Sequence, residues 1–144
     1  MVTETAFWDT SAFVPLCLQQ QNSSRATQLL DQYAMVVWWA APVEARSALA
    51  RDLRNGVITG LEHQEATLVL EQMRWDWTEV RPDDSLRSFA ETLPDRFPLR
   101  AGDALQLAAA WEWVMQRPAG RPFISGDKRL LDAAEQMGFR AIAV

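Results

Sequence analysis

Short apolar runs alternate along this chain with longer stretches in which apolar residues recur at helical spacing. Residues 5–9, 34–39, 122–125 and 139–144 read as strands, and residues 78–81 as a short further one. The run Met35-Val36-Val37-Trp38-Trp39 contains no polar position, which predicts a strand buried on both faces. Helices are expected over residues 11–20, with Pro15 shortening or kinking the first, and over 23–33, where Ala26, Leu29, Leu30 and Tyr33 share one side. Pro42 suits a first helical turn, and that helix should run to about residue 54 and stop at Asn55-Gly56. A long helix over 59–74 bears Leu61, Leu68, Val69 and Met73. Asp83 or Asp84 caps another that ends near Pro94. The helix over 103–116 is apolar on nearly all sides and should be the most buried. A last helix over 128–137 stops at Gly138. Strand-helix alternation predicts an α/β fold, a mostly parallel sheet with helices on both faces. No repeat, low-complexity tract or linker interrupts the pattern, so the 144 residues read as one domain, 1–144.

Four acids fall where predicted helices begin: Asp9, Glu44, Asp103 and Asp127. Asp9, Glu44 and Asp127 each follow a predicted strand. The carboxyl edge of an α/β sheet is where ligands bind, so acids far apart in sequence can meet there. Clustered carboxylates without histidine suit a hard divalent cation. Each acid alone has a plainer reading. Asp is a preferred N-cap, and acids are favoured in a first helical turn. Their core-like surroundings weigh against that reading, because charged residues are seldom buried unless paired or metal-bound.

Composition narrows the alternatives. His63 is the only histidine and lies in the polar stretch Glu62-His63-Gln64-Glu65, as expected of a solvated helix residue. One histidine excludes a two-histidine ribonuclease mechanism and a zinc site of cysteine and histidine. No P-loop and no dinucleotide-binding glycine fingerprint occurs. Cys17, the single cysteine, sits among Val14, Leu16 and Leu18 and reads as a buried apolar residue. An internal disulfide is therefore impossible, which fits a cytoplasmic protein. No apolar run is long enough to span a membrane, and the first residues lack the pattern of a signal peptide. The net charge of −5 excludes a generally basic nucleic-acid surface. The cations are thirteen Arg and one Lys, and Arg grips phosphate with two parallel hydrogen bonds. Metal-assisted chemistry survives this elimination best.

Four stretches carry a resemblance to a known family. They are Phe7-Trp8-Asp9-Thr10-Ser11-Ala12, Pro42-Val43-Glu44-Ala45-Arg46-Ser47-Ala48-Leu49, Leu99-Arg100-Ala101-Gly102-Asp103-Ala104-Leu105-Gln106-Leu107-Ala108-Ala109-Ala110, and Phe123-Ile124-Ser125-Gly126-Asp127-Lys128-Arg129-Leu130-Leu131. In order and spacing they resemble the PIN-domain ribonucleases, most closely the VapC-type toxins of prokaryotic toxin–antitoxin pairs. The resemblance implies a three-layer, Rossmann-like sheet with Asp9, Glu44, Asp103 and Asp127 as catalytic and metal-binding acids, and Mg²⁺ or Mn²⁺ as the cofactor. It implies endonucleolytic hydrolysis of RNA by metal-activated water, a homodimer, and an antitoxin partner that blocks the site. Thr10 and Ser125 stand where the family often has a hydroxyl near the site. Arg46 stands where a cation would meet phosphate, with a surface salt bridge as the equal alternative.

Three other readings stay open at this point. One is a non-catalytic or regulatory interaction domain of the same fold. Another is a different α/β protein with an acidic site, such as a phosphoryl-transfer enzyme or a receiver domain. The third is a metal-dependent nuclease acting on single-stranded DNA. The exposed or buried state of Trp75 and Trp77 also stays open, burial being the expectation for both.

Overall fold

A computed structural model describes residues 4–18 and 24–144. Five strands form one sheet in the order β3-β2-β1-β4-β5. They are β1 (Glu4–Trp8), β2 (Tyr33–Trp38), β3 (Thr78–Val80), β4 (Pro122–Ser125) and β5 (Arg140–Ala143). Every neighbouring pair is parallel, so the expected mostly parallel sheet is wholly so. Parallel neighbours need crossover connections, and the intervening helices supply them. These are α1 (Thr10–Cys17), α2 (Ser24–Gln32), α3 (Ala41–Arg54), α4 (Gly60–Asp76), α5 (Asp84–Ala90), α6 (Ala101–Trp113) and α7 (Lys128–Gln136).

The alternation of side chains along each strand sorts the apolar residues into two cores, one per sheet face. Ala6, Trp8, Met35, Val37 and Ile124 pack with α1 to α4. Phe7, Val36, Trp38 and Phe123 pack with α5 to α7 on the other face. A strand buried on both faces needs a continuous apolar run, and β2 has one. The three-layer, Rossmann-like fold expected of a PIN domain is therefore the one observed.

Local signals placed most boundaries. Thr59 caps α4 in a reciprocal capping box with Glu62, and Asp83 caps α5 through the Leu86 N–H. Gly138 follows α7 with φ +105°, a conformation that favours glycine. Several expectations need correction. Trp39 lies past the end of β2 and is half exposed, because the chain has already turned toward α3. The helix expected to end near Pro94 stops at Ala90. The helix expected over 103–116 begins at Ala101 and ends at Trp113, and Met115 beyond it is exposed. Trp77 is buried but Trp75 is 87% exposed, so burial holds for only one of the pair. The expected end of the first helix at 19–20 and start of the second at Ser23 lie outside the described residues, as do Met1 to Thr3. Among the described residues no helix is long and apolar enough to cross a membrane.

Candidate active site

The strand order reverses direction at β1: β2 and β3 lie to one side, β4 and β5 to the other. Such a switch point leaves a crevice at the carboxyl edge of the sheet. Asp9 follows the last residue of β1, and Asp127 lies two residues beyond β4. Glu44 sits in the first turn of α3, and Asp103 in the first turn of α6. All four acids line one cleft of about 620 Å³, together with Thr10 and Ser11. The sheet thus brings all four predicted acids together.

The four are held differently. Asp9 occupies the N-cap position of α1, yet its side chain makes no capping bond. Its Oδ2 accepts instead from Ser11 Oγ at 2.5 Å and from Ser125 Oγ at 2.8 Å. The Asp9 N–H donates to the Ile124 carbonyl, pinning the residue between β1 and β4. Ser125 Oγ also accepts from the Asp127 N–H, and Ser11 Oγ accepts from the Gly126 N–H. Both hydroxyl protons are therefore committed to one oxygen of Asp9. A Cβ at Gly126 would come within 3.3 Å of the Ser11 carbonyl, so glycine permits this close approach.

Asp127 does cap its helix, Oδ1 accepting from the Arg129 and Leu130 N–H groups. Oδ2 of Asp103 accepts from the Arg100 N–H in the first turn of α6. The plainer reading of these acids is thus real at Asp127 and Asp103, each through one oxygen, and fails at Asp9. Glu44 Oε1 accepts from Gln106 Nε2 at 2.9 Å, and the same amide donates to Thr10 Oγ1 at 3.0 Å.

Asp9 is 6% exposed. Burial raises its pKa, the two serine hydroxyls oppose the rise, and the charges of Asp103 and Asp127 add to it. Glu44 is pushed up to about 7, first by burial and then by the charge of Asp9. Gln106 and Thr10 favour its charged form, and Asp103 disfavours it. The acids therefore feel one another as like charges, and no cation offsets the rise at Asp9 or Glu44.

The donor set consists of oxygens alone, which suits Mg²⁺ or Mn²⁺ and poorly suits a softer ion. Among the described residues no three such side chains close into a ready-made metal cage. An ion here would reach part of the set through retained water, as Mg²⁺ commonly does.

Two contributors escaped the reading of the sequence. Gln106 is a single polar residue inside the apolar face of α6, three residues after Asp103, and it is fully buried. That isolated amide was the available signal. Ser11 had none, since its role depends on the approach of the loop after β4. Arg46 does not line the cleft. It pairs with Glu71 of α4 at 2.8 Å, so the salt-bridge alternative holds there.

The architecture defines an α/β protein with a parallel sheet and an acidic cleft at its switch point. Solved structures share the fold. One is a toxin–antitoxin complex from Klebsiella pneumoniae, with TM-score 0.63 and 13% identity over 87% of this chain and 89% of that one. Another is FitAcB from Neisseria gonorrhoeae, with TM-score 0.59 and 18% identity over 96% of both chains. At such identities the likeness concerns the fold alone. No protein-family model matches the sequence, and no curated protein does.

Proposed function

We propose that this protein is a Mg²⁺- or Mn²⁺-dependent endoribonuclease and acts as the toxin of a toxin–antitoxin pair. The observation that carries the reading is the convergence of Asp9, Glu44, Asp103 and Asp127 on one cleft, with Asp9 buried and Glu44 raised to about 7. Uncompensated carboxylates at a ligand-binding edge are what a divalent cation would neutralise. Oxygens of these four residues would hold the ion, directly or through water. When bound, such an ion supplies an activated water and relieves negative charge on a phosphodiester.

The remaining work belongs to the chain. Ser11 and Ser125 fix the Asp9 carboxylate through Oδ2, and among the described residues Oδ1 accepts no hydrogen bond. Gln106 fixes Glu44 through Oε1. Asp127 and Asp103 are each anchored through one oxygen to helix N–H groups, which leaves the other for the cleft. Without the ion, burial and the charge of Asp9 push the Glu44 carboxyl up to about 7, and a bound cation would favour its charged form.

The toxin role rests on the fold shared with a toxin–antitoxin complex and on the four family-like stretches. An antitoxin partner, a homodimer and a cytoplasmic location belong to the same proposal. Leu61, Leu68 and Trp75, spaced by seven on α4, are all exposed, as suits a surface that a partner covers.

The test is cleavage of RNA and of single-stranded DNA, with and without Mg²⁺ or Mn²⁺, by wild type and Asp9→Asn. Metal-dependent RNA cleavage lost in the variant is expected, with 5′-phosphate and 3′-hydroxyl ends. Equal cutting of DNA would turn the reading to a general single-strand nuclease. Cleavage that persists without metal, or products bearing 2′,3′-cyclic phosphate, would overturn it.

A further inference from the structure

The cleft does not end at the acids. From α3 it is lined by Val43, Glu44, Ser47, Ala48, Arg51 and Asp52, a stripe that keeps to one helix face from residue 43 to residue 52. At 1.5 Å per residue the stripe extends about 14 Å. Val14 and Pro15 of α1 form the facing wall. The cleft is therefore a channel between two helices, with the carboxylates at one end and Arg51 two turns away.

Arg51 is the only basic residue lining the channel among the described residues. Its side chain is also exposed. Arg46, Arg74, Arg87, Lys128 and Arg140 each form an ion pair. Arg51 forms no ion pair and no side-chain hydrogen bond among the described residues. An exposed guanidinium that lines a channel whose other end is acidic is placed to meet an anion that does not belong to the protein. The wall between, with Ser47, Ala48, Val14 and an exposed Val43, is small and largely apolar. It would accept the sugar or base that joins two phosphates.

We propose that Arg51 forms an anion subsite for a phosphodiester flanking the scissile one, so that the channel takes a single strand of nucleic acid lengthwise. This rests on the nuclease reading and adds to it a direction and a length requirement. Asp52, also on the channel wall, opposes the anion and makes the Arg51 contact the one that retains the strand.

The experiment has two readouts. The first is binding of a fluorescent single-stranded RNA octamer in the Asp103→Asn background, which suppresses turnover, over a range of salt. Arg51→Ala should weaken binding roughly three- to tenfold and lower the slope of log affinity against log salt by about 0.7, the value for one lost phosphate contact on a single strand. Arg87→Ala, on α5 outside the channel, serves as the control and should change neither. The second readout is turnover of bis(p-nitrophenyl) phosphate, which carries a single phosphodiester and cannot reach Arg51. Arg51→Ala should leave it within about twofold, with Arg51→Lys restoring part of the octamer affinity.

An unchanged salt slope in Arg51→Ala, with wild-type contacts otherwise binding the octamer, would overturn the subsite and leave the nuclease reading standing. Equal loss on the single phosphodiester would show a general defect and would also overturn it. Absence of any RNA binding and any metal-dependent turnover by the wild type would remove both readings together.

Discussion

Glu44→Gln separates the electrostatic cost of the acidic cleft from its use. Glu44 is half-buried, and its pKa rises from 4.5 to about 7 because burial and the charge of Asp9 disfavour the carboxylate. Folding therefore favours the protonated form. The native state binds more protons than the unfolded chain between pH 4.5 and about 7, so stability is fullest below 4.5 and declines as pH rises to 7. At face value the rise corresponds to about 3 kcal/mol, at 1.36 kcal/mol per tenfold change in proton affinity. Glu44 keeps access to the cleft, and solvent screening reduces this to about 1–2 kcal/mol. The replacing amide is neutral at every pH and can still accept from Gln106 Nε2. At pH 8 in EDTA the variant should unfold about 3–6 °C above wild type, given about 3 °C per kcal/mol for a chain of this size. At pH 4.5 the two should coincide. Mg²⁺ at pH 8 should raise the melting temperature of wild type more than that of the variant, narrowing the gap. Thermal unfolding monitored by circular dichroism across pH 4.5–8 is the assay. A gap independent of pH would show that the Glu44 charge does not destabilise the fold, and so would a variant less stable than wild type at pH 8 without metal.

Further outcomes follow from the contacts around the site. Ser125→Ala removes a donor to Asp9 Oδ2 and the acceptor of the Asp127 N–H. It should cost about 1–3 kcal/mol in denaturant unfolding and push the Asp9 pKa further up, seen as weaker metal binding at neutral pH by calorimetry. Gln106→Leu should strip Glu44 and Thr10 of a shared donor. Metal-dependent turnover should fall at least tenfold, with a stability change under about 1.5 kcal/mol because the buried, unpartnered Gln106 Oε1 is removed as well. A loss of stability above 3 kcal/mol, or unchanged turnover, would count against that role. Cys17 is buried and its thiol is pushed up to about 12. It should resist thiol reagents at pH 8 in the folded protein and react once the chain is unfolded, as followed by mass spectrometry.

Much of the fold was legible along the chain because its signals are local. The apolar runs marked β1, β2 and β4, and helical spacing with caps and stops marked the helices between them. The errors fell where local signals are weak. Trp39 and Met115 are apolar residues carried past the end of an element, where periodicity alone cannot tell burial from exposure. Trp75 and Trp77 have the same chemistry and opposite fates. Trp77 ends a helix and packs against Phe13, while Trp75 faces outward.

The acids follow the same division. Strand-to-helix boundaries place an acid at a sheet edge from sequence alone, since hydrophobic period and N-terminal preference are properties of neighbouring residues. The chain could therefore nominate Asp9, Glu44, Asp103 and Asp127. Their individual states depend on groups remote in sequence. Asp9 is gripped by a serine 116 residues away and Glu44 by an amide 62 residues away. Only the packing of α1, α3 and α6 against the switch point decides which acids are buried and which cation faces the cleft. Desolvation and Coulomb interaction act through space, and the distances they depend on exist only once the sheet has formed.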